Sequence, residues 1–312
     1  VPIYTEPSTS STEGAARSSV EEVYRRAEDD LLEAYNALDS YTRDARHKFD
    51  RNVVAGILAR LYLQKNQWGD AQKYAAEAHK DYAWMSRTDY LSGFNDRSNS
   101  EWIWGHGQTT DQSVASYSFH FKDVSSESSY YYSFMADPHF RSFFDGNDIR
   151  SELFEWDVTR YLGGLMYKKF KFRPDNTGDI VLMRKAELVL IEAEAFAEQG
   201  EPGQAIAKLN ELRQQRGADT PDLSGLSKEE LVEEILIERR KELWGEGFGL
   251  SDLKRRQKPV ERTAATGLVP DTNIEIKGHT VLRFPNNTDF TANSPYYLFA
   301  IPELETINNP NL

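Results

Sequence analysis

Between Ile180 and Arg256 the apolar positions recur at helical spacing three times in succession. The run from Leu182 to Gln199 contains no Pro or Gly and is rich in Ala, Leu and Glu. Its apolar residues Leu182, Ala186, Leu190, Ala193 and Ala197 predict one helix. Gly200 ends that helix, and Pro202 stands where a second would begin its first turn. Ala205, Leu209 and Leu212 then form a single apolar stripe. Ser227 and Glu230 have capping-box spacing and predict a third helix that buries Leu231, Ile235 and Leu243 and stops at Gly245. Ala193, Ala195 and Ala205 are small enough for the first two helices to approach closely as an antiparallel pair.

The same pattern occurs earlier in the chain. Residues Ala59 to Ala78 align without gaps on Ala193 to Leu212, pairing Ala59 with Ala193, Tyr62 with Phe196, Gly69 with Gly203 and Ala71 with Ala205. A small residue, an aromatic, a turn and an Ala on the next helix is the logic of tetratricopeptide-like helix pairs. Upstream, Ser19 and Glu22 again have capping-box spacing, and Val20, Val23, Ala27, Leu31, Ala34 and Leu38 give an amphipathic helix. Its acidic residues Glu28, Asp29, Asp30 and Glu33 read as a solvated face, because neighbouring helical positions do not converge on one ion.

Between the two helical blocks the periodicity fades and Ser, Tyr, Phe, Asp and Gly become frequent. Glu101 to Gly107 reads as a short strand, and the alternation in Ser116 to Phe121 predicts another. After Lys254 the chain is rich in Pro, Asn and Thr, with short β-like runs at 273–277 and 280–284, and is expected to wrap back across the helices. The Ser/Thr/Pro-rich opening to Gly14 predicts an extended lead-in. The expected architecture is therefore mostly α: one domain over 1–312, with helical blocks at 19–82 and 180–256. An irregular, partly β, loop-rich insertion occupies 83–179, and a C-terminal wrap occupies 257–312.

Long irregular insertions on rigid scaffolds are where binding residues concentrate. Tyr130, Tyr131 and Tyr132, with Trp84 and Tyr82, supply rings that could stack on the C–H faces of sugars, and Asn95, Asp96 and Arg97 supply partners for hydroxyls. Three adjacent tyrosines cannot all face one way in a strand, so at least one is expected at a surface or boundary. The competing reading is that these rings fill the core of an irregular subdomain.

Composition narrows the function classes. A net charge of −13 argues against a nucleic-acid partner, which needs clustered positive charge, but leaves neutral glycans open. With no Cys, disulfides, thiolate zinc sites and a Cys nucleophile are excluded. No apolar run is long enough to span a membrane as a helix. The six His residues lack ligand spacing, and no nucleophile elbow, zincin helix, phosphate-binding loop or calcium loop is present. No catalytic residue, metal site or cofactor is therefore expected. Glu238 and Glu242 share one helix face beside Arg239 and Arg240, which favours an ion-pair network over a glycosidase acid pair set across a cleft. The sequon-like Asn286-Asn287-Thr288 carries no weight without eukaryotic secretion.

Four stretches resemble the SusD/RagB family of Bacteroidetes surface lipoproteins. Arg184, Ala186, Glu187, Leu190, Ala193, Glu194 and Ala195 look like its Arg-x-Ala-Glu helix. Asn210, Arg213, Arg216 and Gly217 resemble its Asn-x-x-Arg stretch, and Glu238, Arg239, Arg240, Glu242, Leu243, Glu246 and Gly247, followed by Asp252 and Leu253, its Glu-Arg-Arg helix end. Pro302, Glu305, Asn309 and Pro310 are similar to the family C-terminus. Asp148 and Arg150 resemble an Asp-x-Arg pair of the insertion, and Tyr167 to Phe170 the strand before the second helical block. Gly249 departs from the pattern where the family often has Arg, which bears on one local ion pair and not on the fold.

The resemblance implies a SusD-like fold and non-catalytic capture of oligo- or polysaccharide at the outer face of the outer membrane. It implies delivery to a SusC-like TonB-dependent transporter, with attachment through a lipid anchor that this chain lacks. It also leads us to expect an N-terminal helical segment that is missing here. The alternatives are a peptide-binding member of the same family, a divergent glycoside hydrolase and a generic tetratricopeptide assembly scaffold. A long apolar groove with a free sheet edge would favour peptide.

Overall fold

The computed structural model describes residues 1–9, 11–112, 121–125, 134–262 and 264–311. The fold is mostly helical. Helix α1 (Val20–Ala37) begins at the predicted capping box: the Glu22 amide donates to Ser19 Oγ at 3.1 Å, and the Ser19 amide donates to Glu22 Oε2 at 2.7 Å. Only its second half leans on the core, through Leu31, Leu32, Ala34 and Tyr35, so Val20 is exposed although it continues the apolar face.

Helices α2 (Arg51–Gln64) and α3 (Trp68–His79) form the first pair, turning at Asn66 with φ 57°. After the short α4 (Arg87–Leu91), strand β1 (Trp102–His106) enters the insertion. A hairpin follows, β2 (Phe154–Asp157) with β3 (Gly164–Tyr167). The chain returns through β4 (Ile180–Arg184) to the second pair, α5 (Lys185–Glu198) and α6 (Pro202–Gln215), then to α7 (Lys228–Glu242) and α8 (Gly249–Arg255). A last short helix, α9 (Glu303–Asn308), lies near the C-terminus.

The two pairs stack on each other, with α3 against α5, and α7 also packs on α5. Their alanines allow this approach: Ala59, Ala71, Ala75, Ala193 and Ala205 are fully buried. Pro202 opens α6, and Gly200 takes φ 77° at the turn, as their positions in the sequence predict. Polar clamps cross the stack. Arg60 on α2 donates to Glu187 on α5 at 2.6 Å, and buried His79 meets Glu192 at 2.7 Å. A second core, built of Tyr90, Phe94, Trp102, Phe140, Leu165, Tyr167 and Phe170, fills the insertion.

Four expectations change. The helix predicted from Leu182 starts at Lys185, and Ile180–Arg184 is instead a strand paired antiparallel with β1. A short apolar run does not distinguish strand from helix by period, and here the backbone groups of Trp102–His106 supply its ladder. The strand before the second helical block is therefore β4, and of the Tyr167–Phe170 motif only Tyr167 lies in a strand, β3. In the C-terminal tail, 273–277 contributes one isolated bridge, Leu268 to Glu275, and 280–284 forms no strand among the described residues. Of the strand predicted over Ser116 to Phe121, residues 116–120 lie outside the described residues, and Phe121 is helical.

The tail is held against the β2–β3 hairpin at Gly163, whose φ is 86°. The Lys277 amide donates to the Gly163 carbonyl at 2.8 Å, and a Cβ at Gly163 would fall 1.9 Å from the Glu275 carbonyl oxygen. Backbone strain and a backbone clash therefore act together. Gly163→Ala should destabilise this contact by about 1–3 kcal/mol and expose 264–300 to proteolysis. Unchanged cleavage in limited digestion would overturn that expectation.

Candidate functional site

The residues of the charged motifs converge where α5, α6 and α7 meet the insertion, in a network withdrawn from solvent. Glu242, at the end of α7, accepts from Arg184 at 2.6 Å, Arg216 at 2.9 Å and Arg150 at 2.9 Å, and all four side chains are fully buried. Arg184 and Arg216 also reach Glu101, at 2.8 and 2.9 Å, just before β1. Arg150 grips Asp148 through Nε and Nη2 at 2.8 and 2.7 Å, and donates to Glu238 at 2.5 Å. Glu238 also accepts from Arg213 at 2.9 Å. Glu246 takes Arg184 at 2.7 Å and Lys169 at 2.5 Å.

Burial alone would raise the Glu242 carboxyl, but Arg216, Arg184 and Arg150 outweigh it and hold it well below the ordinary range. Burial of Glu238 is likewise outweighed by Arg150, Lys241 and Arg213, leaving it at about 2. On Lys169 burial wins, and its ammonium falls to about 8 despite Glu246. Carboxylates held this firmly ionised and enclosed have no proton to give near neutral pH, so Glu238 and Glu242 are structural ion-pair partners, as their shared helix face predicts.

The candidate ligand residues separate in space. Tyr130, Tyr131 and Tyr132 lie outside the described residues. Asn95, Asp96 and Arg97 share one loop, which the insertion anchors. The Asn95 side-chain Nδ2 donates to the Lys171 carbonyl at 2.9 Å, Asp96 accepts from the Ser98 backbone amide at 2.8 Å, and the Arg97 backbone amide donates to Asp179 at 3.0 Å. The Arg97 guanidinium lies across Gly107, where a Cβ would come within 1.8 Å of it. Ser100 ties this loop to the Trp84 carbonyl at 3.2 Å. The half-buried Trp84 ring donates to Glu211 at 3.1 Å, with the cations of Lys185 and Arg216 each 5.3 Å from its centroid.

Tyr82 faces a different place, a cleft of about 580 Å³ along the α1–α2 connection. Its hydroxyl accepts from Arg43 at 2.6 Å, and Arg46 lies 5.7 Å from its ring. Arg43 also pairs with Asp50 at 2.7 Å and donates to the Ile103 carbonyl at 2.5 Å, while Arg46 donates to the Asn99 and Trp102 carbonyls. The two arginines thus bind the α1–α2 connection to the start of β1. Sequence reasoning missed them because they serve backbone carbonyls far along the chain, which leave no side-chain pattern to read. A second cleft, of about 510 Å³, lies in the tail between Asn286 and Tyr296. Its signal in the sequence is a dense run of Asn, Thr and Asp ahead of a tyrosine pair. Among the described residues, no group of three or more His, Asp or Glu is arranged to hold a metal ion, and no helix is long and apolar enough to cross a membrane.

Comparison with known proteins matches this geometry to one group. The SusD family model aligns with residues 57–312. A SusD-like carbohydrate binding protein from Bacteroides vulgatus ATCC 8482, solved crystallographically, is 44% identical and superposes on 100% of this chain and 69% of its own, with a TM-score of 0.92. A SusD superfamily protein from Bacteroides thetaiotaomicron VPI-5482 shares the fold at 24% identity, covering 84% of this chain and 61% of its own with a TM-score of 0.69. SusD-like protein P38 of Formosa agariphila is 38% identical over 104 residues, which are 30% of this chain and 20% of that protein.

Proposed function

The chain belongs to the SusD family, and from that premise we propose that it binds oligo- or polysaccharides without catalysis at the outer face of the outer membrane and passes them to a SusC-like TonB-dependent transporter. The observation that carries this reading is the superposition of the whole chain, at 44% identity, on a structure described as a SusD-like carbohydrate binding protein. A non-catalytic role is supported by the carboxylates themselves. The buried acids of the network are committed to arginines and held ionised, so none is poised as a general acid.

The insertion carries the proposed recognition surface. Tyr130, Tyr131 and Tyr132 would offer stacking faces, and the loop of Asn95, Asp96 and Arg97 offers polar partners beside Trp84, with Tyr82 on the neighbouring cleft. Tyr131→Ala is expected to weaken binding to one glycan class on an array by about tenfold, the order of one lost stacking contact at ~1.4 kcal/mol. Equal binding by wild type and variant would place recognition elsewhere in the chain. A wild type that retains peptides and no glycan would overturn the saccharide reading.

A further inference from the structure

The tail cleft lies outside the insertion and is built as a small rigid platform. Phe284 packs against Phe290, Tyr296 and Tyr297 at centroid distances of 4.7, 4.7 and 5.9 Å. Arg262 covers the Phe290 ring at 5.1 Å. The loop above this cluster is closed by its own backbone, with the Phe284 amide donating to Thr288 at 2.9 Å and the Asn287 amide to Phe284 at 2.8 Å. Asn287 takes φ 63° and Asn293 φ 56°, positions that asparagine tolerates better than most residues.

Tyr296 is fixed at the rim. Asn286 Nδ2 donates to its hydroxyl at 2.5 Å, and Asn286 Oδ1 accepts from Thr288 Oγ1 at 2.7 Å. Despite this fixation and its packing on Phe284, Tyr296 is 57% exposed. Around it, Asn287, Thr291 and the Asp289–Arg283 pair, joined at 2.9 Å, present amide, hydroxyl, carboxylate and guanidinium groups to solvent. Solvent-exposed polar groups beside a pre-positioned aromatic face have the composition of a site for a ring that is apolar on its faces and hydroxylated at its edge. Because the ring is already ordered, little conformational entropy is lost when a ligand stacks on it.

We propose that this cleft is a second saccharide subsite, taking a neutral pyranose that stacks on Tyr296 while its hydroxyls bond to Asn287 and Asp289. The inference rests on the glycan-binding reading above and adds to it a site in the C-terminal tail. The chain's net charge of −13 disfavours acidic sugars.

The test is affinity electrophoresis through gels containing amylopectin, xylan, galactomannan or polygalacturonate, followed by titration with a hexasaccharide of whichever polymer retards the wild type. Tyr296→Ala and Asn287→Ala are each expected to weaken retardation by about fivefold on a neutral polymer and to reduce the hexasaccharide stoichiometry from two per chain to one. Tyr296 packs on Phe284 and Asn287 holds φ 63°, so thermal unfolding of both Ala variants should fall slightly below wild type, whereas Asn287→Gly, which keeps that backbone conformation, should unfold as wild type and still weaken retardation about fivefold. Wild-type retardation and stoichiometry in both variants would overturn the subsite while leaving the glycan-binding reading in place. Retardation by polygalacturonate alone, lost in Tyr296→Ala, would overturn the neutral-sugar assignment. A wild type that no polymer retards would overturn both readings.

Discussion

Glu242→Ala should lower the free energy of unfolding by about 3–5 kcal/mol, a large share of the roughly 5–15 kcal/mol that holds an ordinary domain folded. The magnitude follows from what is left behind. Three guanidinium groups, those of Arg150, Arg184 and Arg216, point at this one carboxylate from three separate regions of the chain, and none reaches solvent. Arg184 and Arg216 retain Glu101, and Arg150 retains Asp148 and Glu238, but the buried cluster loses the anion shared by all three. Water cannot replace it without opening the contact between helices and insertion. Glu242→Gln separates charge from shape, since it keeps the side-chain volume and one acceptor, and it should lose less than the Ala variant. Urea unfolding followed by circular dichroism reads both, as a fall in midpoint at unchanged slope. An Ala variant that unfolds at the wild-type midpoint would mean that the cluster is not closed to water.

Acid should unfold the protein between pH 4.5 and about 2. Glu238 lies at about 2 in the folded state, against an ordinary value of 4.5, with burial opposed and outweighed by Arg150, Lys241 and Arg213. Glu242 is held lower than its ordinary value in the same way, and Glu246 is lowered by Arg184 and Lys169 against its burial. For a depressed carboxyl the sign is fixed. Its stabilisation is fully present above the unfolded pKa and is lost as the pH falls through the folded one, because the unfolded chain takes up the proton first. Glu238 alone contributes about 3 kcal/mol by this linkage. Lys169 follows the same sign at higher pH: burial depresses its ammonium to about 8, so stability rises as the pH climbs from 8 toward 10.5. Thermal midpoints measured from pH 8 down to pH 2 should hold above 4.5 and then fall steeply. A flat profile to pH 2.5 would contradict the ion-pair account.

The helical scaffold was legible because its causes are local. Period, capping residues and the Gly200–Pro202 turn act within a few positions, and α1, α3, α6 and α7 stand close to where the pattern predicts them. At Ile180–Arg184 the pattern misled, because a four-residue apolar run is strand or helix according to a partner that lies elsewhere, here β1. The charged motifs were legible as residues and not as a network. Glu101 and Lys169, which complete it, come from the insertion, and only the folded chain brings them to Arg184 and Glu246. The candidate ligand residues illustrate the same limit. Asn95, Asp96 and Arg97 stay together because they are adjacent in sequence, whereas Trp84 and Tyr82, only two positions apart, turn toward different surroundings, one beneath Lys185 and Arg216 and the other into the Arg43 cleft.

The stack of α3 on α5 joins helices separated by the whole insertion, and this sets what the chain can tolerate there. Each helix pair closes over a short turn and can form on a microsecond timescale, while their docking must bring together the ends of the segment between His79 and Lys185. The entropy of closing so long a loop rises only logarithmically with its length, by about 0.6 kcal/mol for a doubling. Lengthening or shortening the exposed stretches of that segment therefore leaves the helices nearly as stable as before. Moving Glu101, Asp148 or Arg150 does not, since these hold the insertion to the helices through the buried charges. The molecule thus separates a replaceable insertion from the few residues that register it, and one helical frame can carry insertions of widely different length.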